Sequence, residues 1–336
     1  MAYSIKKHQN RMEQKMKING ILGPVDTADI GPTLIHEHIA TLDQAMCLAY
    51  TDWYDYDYIL NKFKIEIDKV KAYGVKTFVD ATPINLGRNV NLLIDAAKRV
   101  DINMLCCTGL YWYEGPWYNA LEPEVLAEYL FRDLTKGIQE TDTKAAFAKC
   151  STDALFGASD TNRRMIIGTA MAAKNASVPV YTHTSDVPKL RQGLYQLNVL
   201  AANGIEPYRV CIGHAFTSND REYLVELVKS GTYIGCDQTG YENILPIKDL
   251  AATVIYMCEQ GYSKHIMLSN DKNITSDFMF ALNKARRSAE NWVTGDYARV
   301  HEKLIPLLKD GGVTREQIND MLINNPRRYF EQQPIV

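Results

Sequence analysis

The chain has 336 residues, of which 46% are hydrophobic and 23% charged, with a formal net charge of −3. This is the composition of an ordinary globular protein. The slightly acidic balance offers no basic surface for nucleic acid, and no apolar run approaches the roughly 20 residues a bilayer-spanning helix needs, so neither a nucleic-acid nor a membrane partner is expected.

Residues 1–17 are polar and lack the apolar core of a secretory signal, so they read as a flexible N-terminal segment of a cytoplasmic protein. Pro24, Gly31 and Pro32 punctuate the entry, where Ile18 to Leu22 is expected to form a short strand or hairpin across the bottom of the domain. Eight β-type runs follow, at Thr33 to Ile39, Lys76 to Thr82, Asn103 to Leu110, Ala145 to Cys150, Pro179 to His183, Arg209 to His214, Thr232 to Asp237 and His265 to Ser269. They are near-continuously apolar, as parallel strands buried on both faces are. Helical spacing fills the intervals at Ile59 to Tyr73, Val90 to Arg99, Leu126 to Ile138, Arg163 to Asn175, Leu190 to Ala202, Asp220 to Lys229 and Asp249 to Gln260. Strands joined by helical crossovers predict a single-domain (β/α)8 TIM barrel over residues 18–336. The seven cysteines are an odd number, and those at 106, 107, 211 and 236 lie inside apolar runs, which reads as reduced core thiols rather than a disulfide or zinc framework. The longest connection follows the last strand, from Asp271 to Arg299. Loops at strand C-termini carry the active site in this architecture, so this connection is the candidate for substrate selection.

The strand ends carry the chemistry. His36 and His38 are two apart on one strand and therefore project to the same side. Lys149 comes late in the fourth run, His183 ends the fifth, His214 ends the sixth and Asp271 lies just past the eighth. A lone histidine on an apolar strand is more often a hydrogen-bonded core residue, and a lone aspartate more often a helix cap, but their coincidence at one face of a barrel points to a metal centre. Imidazole nitrogens with a hard carboxylate oxygen suit Zn²⁺ first and admit Mn²⁺, Co²⁺ or Fe²⁺. Lys149 ends an apolar strand where desolvation penalises its charge; it either snorkels, forms an ion pair, or exposes a neutral amine.

The motifs His-Glu-His at 36–38, Phe-Ala-Lys at 147–149, Val-Tyr-Thr-His at 180–183, Ile-Gly-His at 212–214 and Leu-Ser-Asn-Asp at 268–271 make the chain resemble the phosphotriesterase family of the amidohydrolase superfamily, from Ile18 to Phe330. Connecting phrases at 74–83 and 324–330 match as well. By that resemblance, His36, His38 and Asp271 would hold the more buried of two divalent metals and His183 and His214 the more exposed one. Lys149, carboxylated by carbon dioxide, and a hydroxide would bridge both. Asp271 would act as ligand and catalytic base, and the protein would be a homodimer acting on a small molecule.

Substrate choice falls to the rim. The run Gly-Leu-Tyr-Trp-Tyr after the third strand resembles the family's lactonases and nominates Tyr111 and Tyr113 for substrate contact, with Phe278 near the place of an aromatic lid residue. The proton relay of proficient phosphotriesterases is missing, since Ala-Phe-Thr at 215–217 and Gln238 occupy its places; the lactonases usually carry arginine where Gln238 stands. Gln238 still offers a hydrogen bond to a ring oxygen or carbonyl. Lys272, with Lys284, Arg286 and Arg287 further along, suits an anionic group. The reading is a binuclear hydrolase of lactones or carboxylic esters with weak phosphotriesterase activity. The alternatives are an amide hydrolase, a hydrolase of phosphorylated or acidic sugar lactones, and a non-catalytic metal-binding barrel.

Overall fold

Each apolar run becomes a strand because it can bury both faces, one against the barrel interior and one against a helix. The computed structural model describes residues 16–153, 159–185, 190–239, 241–277 and 296–335. Among them eight strands form one parallel sheet: β1 (Thr33–Glu37), β2 (Thr77–Asp80), β3 (Asn103–Gly109), β4 (Phe147–Ser151), β5 (Val180–His183), β6 (Val210–Ile212), β7 (Tyr233–Cys236) and β8 (Ile266–Leu268). Neighbours pair in sequence order, for example Ser151 opposite His183 and Cys236 opposite Leu268. All eight expected strands are present, each trimmed by a residue or more at one or both ends where the backbone turns into a loop, while β4 also runs one residue beyond its expected end, to Ser151.

Seven crossover helices follow the expected order: α1 (Tyr56–Lys71), α2 (Val90–Arg99), α3 (Pro123–Thr135), α4 (Asp160–Ala176), α5 (Gln192–Ala202), α6 (Arg221–Lys229) and α7 (Ile247–Glu259). Their starts are set by side chains that accept the free backbone N–H groups of the first turn, Asp55 for α1, Asn89 for α2, Ser159 for α4 and Asp220 for α6. Pro123 opens α3, which therefore begins three residues before its apolar pattern does. The six-residue helix Gln44–Ala49 and the helical C-terminal run from Val300 to Phe330 lay outside the expected elements.

Two apolar layers between strands and helices surround a third inside the barrel. The inner layer contains Ile35, Val79, Leu105, Phe147, Tyr181, Cys211, Tyr233 and Met267, closed below by Ile18, Ile30, Tyr329 and Phe330. Lys17–Ile18 and Val25–Asp26 form the expected antiparallel hairpin there. Of the segment 1–17, expected to be flexible, residues 1–15 lie outside the described residues, whereas Lys17 pairs with Asp26 in this hairpin.

Above the inner layer the same strands carry the polar groups: Lys149 two residues beyond Phe147, His183 two beyond Tyr181, and Asp237 four beyond Tyr233. In β1 the pairing with β2 shifts register between Leu34 and Glu37, and this irregularity lets Ile35 pack inside while the next residue, His36, also faces the axis.

Candidate metal centre

Six side chains nominated from sequence meet at the C-terminal end of the barrel. His36 is fully buried, with Nε2 2.8 Å from Lys149 Nζ and 3.5 Å from Asp271 Oδ1. His38, one residue past β1, has Nε2 3.1 Å from the same oxygen, and His214 Nε2 lies 3.8 Å from Asp271 Oδ2. The ligating atoms of His36, His38 and Asp271 fall within 4.8 Å of one another.

Orientation comes from the opposite edge of each ring. His36 Nδ1 lies 2.8 Å from Asp237 Oδ2, His214 Nδ1 lies 3.0 Å from Asp237 Oδ1, and His38 Nδ1 lies 2.8 Å from Thr82 Oγ1. An Nδ1–H given to oxygen leaves Nε2 as the lone-pair nitrogen, which is the tautomer a metal ligand needs. This donor set, three Nε2 atoms and one carboxylate in a buried corner, fits a divalent cation. Asp237 also groups with His36 and His214 within 4.8 Å. Its oxygens, however, are taken by four donors: His36 Nδ1, His214 Nδ1, the His214 backbone N–H at 2.9 Å and the Tyr181 hydroxyl at 2.7 Å. It is an orienting carboxylate.

Lys149 is 1% exposed and, among the described residues, meets no carboxylate at ion-pair distance, so neither snorkelling nor a salt bridge accounts for it. Burial pushes its pKa down, toward the neutral amine. Burial and the neighbouring Lys149 bring His36 down to about 3, and burial with His214 brings His183 down to about 4. For His214 burial opposes the charge but Asp237 and Asp271 outweigh it and raise the pKa. Asp271 and Asp237 are held well below the usual carboxylate range, since the facing histidines overcome burial.

His183 belongs to neither compact group. It stands beside His214, ring centroids 4.6 Å apart, with Nε2 3.4 Å from the Tyr111 hydroxyl and 3.7 Å from Asp153 Oδ2. Tyr111 is buried over it and anchored by Asn85, whose Oδ1 accepts from Tyr111 N at 2.5 Å and whose Nδ2 donates to Tyr111 O at 3.1 Å. Tyr113 packs edge-on against Tyr111, ring centroids 5.2 Å apart. Gln238 Nε2 donates to Asp271 Oδ2 at 2.9 Å, so it sits on the aspartate itself. Lys272 is buried with its ammonium 4.0 Å from the Tyr241 ring centre. Phe278 lies outside the described residues, as do Lys284, Arg286 and Arg287.

His214 and Asp271 both adopt left-handed backbone, φ 59° and 55°. For residues other than glycine this costs of order 1 kcal/mol or more and persists where surrounding contacts over-determine it, commonly at functional sites. Gly235 leaves room for the arrangement: a Cβ there would come within 2.6 Å of both Asp237 Oδ2 and the Tyr181 hydroxyl. Asp237, Thr82, Asn85 and Asp153 were not singled out from sequence. Asp237 and Thr82 carried the same signal as the ligands, a polar residue closing an expected apolar strand; Asn85 and Asp153 lie beyond the expected strands and carried none.

A model of the phosphotriesterase family matches residues 16–330. The solved structure of the phosphotriesterase from Mycobacterium tuberculosis superposes with a TM-score of 0.84 at 35% identity, covering 96% of this chain and 100% of that one. An aryldialkylphosphatase from Saccharolobus solfataricus is 31% identical over 310 residues, 91% of this chain and 96% of its own. A phospho-furanose lactonase from Mycoplasmopsis synoviae is 26% identical over 336 residues, 92% of this chain and 90% of its own.

Proposed function

The chain belongs to the phosphotriesterase family and is a metal-dependent hydrolase; on that premise we propose that it opens lactones or cleaves related carboxylic esters, with weak turnover of phosphotriesters. His36, His38 and Asp271 would hold one divalent cation, zinc being the first choice, and His183 and His214 a second, with a carboxylated Lys149 between them. When bound, the cations would acidify a water and polarise the substrate's acyl oxygen.

The observation that carries the preference for a lactone is the way Asp271 is presented. Its Oδ1 faces His36 and His38, and Oδ2 receives the Gln238 amide. An amide N–H cannot take a proton onward, and Ala215, Phe216 and Thr217 offer no acid or imidazole. Asp271 must therefore accept the proton of the attacking water at Oδ2 as the new C–O bond forms, and return it to the departing oxygen as the old C–O bond breaks. A lactone keeps that alkoxide tethered within reach of the same carboxylate, so one acid–base group suffices. Tyr111, fixed by Asn85 above His183, would orient the acyl group and help to exclude water.

A second reading, an acidic sugar lactone, draws on Lys272 immediately after Asp271 and on the name of the Mycoplasmopsis relative. The test is metal content by mass spectrometry on protein purified without chelator, joined to a panel of plain lactones, sugar-phosphate lactones, esters, amides and aryl phosphotriesters. About two metals per chain with preferential lactone turnover supports the proposal. Preferential amide or phosphotriester turnover refutes the substrate class, and full metal loading with no turnover makes the chain a metal-binding barrel.

A further inference from the structure

The ladder of hydrogen bonds around the barrel runs from β1 to β8 but, among the described residues, does not continue from β8 back to β1. The seam is joined instead by individual bonds, and among the described residues one buried side chain makes more of them than any other. Glu37, between His36 and His38 and fully buried, accepts from Ser269 Oγ at 2.7 Å, Asn270 N at 2.8 Å and Asn270 Nδ2 at 2.8 Å on Oε1, and from Lys272 N at 2.9 Å on Oε2. These donors bracket Asp271 on both sides. Asn270 carries the network further, donating to Tyr297 O at 2.8 Å and accepting from Val300 N at 2.9 Å, while the Tyr297 hydroxyl donates to His38 O at 2.7 Å.

Asp271, at φ 55°, is the residue in this turn that needs holding. Its own N–H reaches His36 O at 3.1 Å, and the next residue's carbonyl accepts from His38 N at 2.8 Å, so the turn and the ligand strand are tied at each step. We propose that Glu37 is the positioning residue for the Asp271 carboxylate, fixing the Ser269–Lys272 turn so that Asp271 meets His36 and His38. The inference rests on the reading of Asp271 as a ligand. The side chain must be acceptor-only at both oxygens, because three donors meet one oxygen and a backbone N–H meets the other. Glutamine has the same shape, yet whichever way its amide turns, an NH₂ confronts a donor.

The test compares wild type, Glu37→Gln and Asp271→Ala by competition against a chromophoric chelator, with circular dichroism of the metal-free proteins as the check on folding. We expect E37Q to retain the native spectrum and to bind one of its cations at least tenfold more weakly, with the absorption of the Co²⁺-loaded protein altered as a displaced ligand alters it. D271A should lose the same cation. If E37Q binds both cations within twofold of wild type while D271A loses one, Glu37 serves only to close the barrel and the proposal is overturned. If D271A retains both at wild-type affinity, the ligand reading itself fails. Should E37Q give no soluble protein, Glu37→Asp keeps the charge but withdraws it by one methylene from the four donors, and the same tenfold weakening or its absence decides.

Discussion

Asp237→Asn is the most direct perturbation of the centre that leaves every proposed ligand in the sequence. The carboxylate meets donors at both ends: Oδ2 takes His36 Nδ1 and the Tyr181 hydroxyl, and Oδ1 takes the backbone N–H and Nδ1 of His214. Asparagine keeps one acceptor oxygen. It cannot turn its NH₂ toward His214, since a backbone N–H cannot become an acceptor and the buried clash costs about 1–3 kcal/mol. The NH₂ therefore faces His36, whose ring can accept only by moving its proton from Nδ1 to Nε2, the nitrogen aimed at Lys149 and Asp271. The lone pair required by a cation is then lost from His36. Removal of such an orienting partner typically weakens metal binding by about 10–100-fold, or roughly 1.4–2.8 kcal/mol. The assay is chelator competition on metal-free protein, with thermal melts recorded alongside. Binding of both cations within twofold of wild type would refute the tautomer argument, because hydrogen bonding to Asp237 would then be immaterial to ligand orientation.

Three further outcomes follow from the same geometry. Lys149→Ala should abolish tight binding of the second cation, with partial recovery on adding short-chain carboxylates; two tightly held metals and full activity in bicarbonate-free buffer would exclude a carbamate bridge. Asn85→Ala releases both backbone anchors of Tyr111 and should raise KM for lactones about tenfold with a smaller change in kcat, since about 1.4 kcal/mol of positioning acts on ground state and transition state alike; equal loss in kcat would place Tyr111 in the chemistry instead. His301, mostly buried, stacked on Tyr73 and with no hydrogen-bond partner for either ring nitrogen among the described residues, is brought by burial from 6.5 to about 4. Its folded pKa lies below its unfolded value, so its contribution is present above pH 6.5 and is lost as pH falls toward 4, by up to about 3 kcal/mol. His301→Phe should leave the Tm at pH 8 nearly unchanged and raise it relative to wild type at pH 4.5; a difference that does not vary with pH would contradict this.

Much of the fold was legible because parallel strands and their crossovers announce themselves locally. A run such as Val-Tyr-Thr-His at 180–183 is apolar for the reason it is a strand, and its last residue is polar for the reason it is at the mouth of the barrel. Boundaries were less legible: α3 starts at Pro123, ahead of its apolar pattern, because a proline at the first turn loses no hydrogen bond there. Glu37 and Asp237 owe their roles to partners distant in the chain. Each is a charged residue in or at the end of a buried strand, visible as an anomaly, but the donors that explain it lie 232 to 235 residues away for Glu37 and 23 to 201 away for Asp237.

What the sequence by itself determined is the list of strands, their order and the polar residues that five of them deliver to one end of the barrel, since these depend on periodicity and on the direction of each strand. Only the tertiary structure decided which nitrogen of each histidine is turned inward, that Gln238 serves Asp271 rather than open space, and that Asn85 holds Tyr111 over His183. These depend on hydrogen bonds between groups far apart in the chain. A bond of that kind has no period to reveal it, and its partners meet only once the barrel has closed.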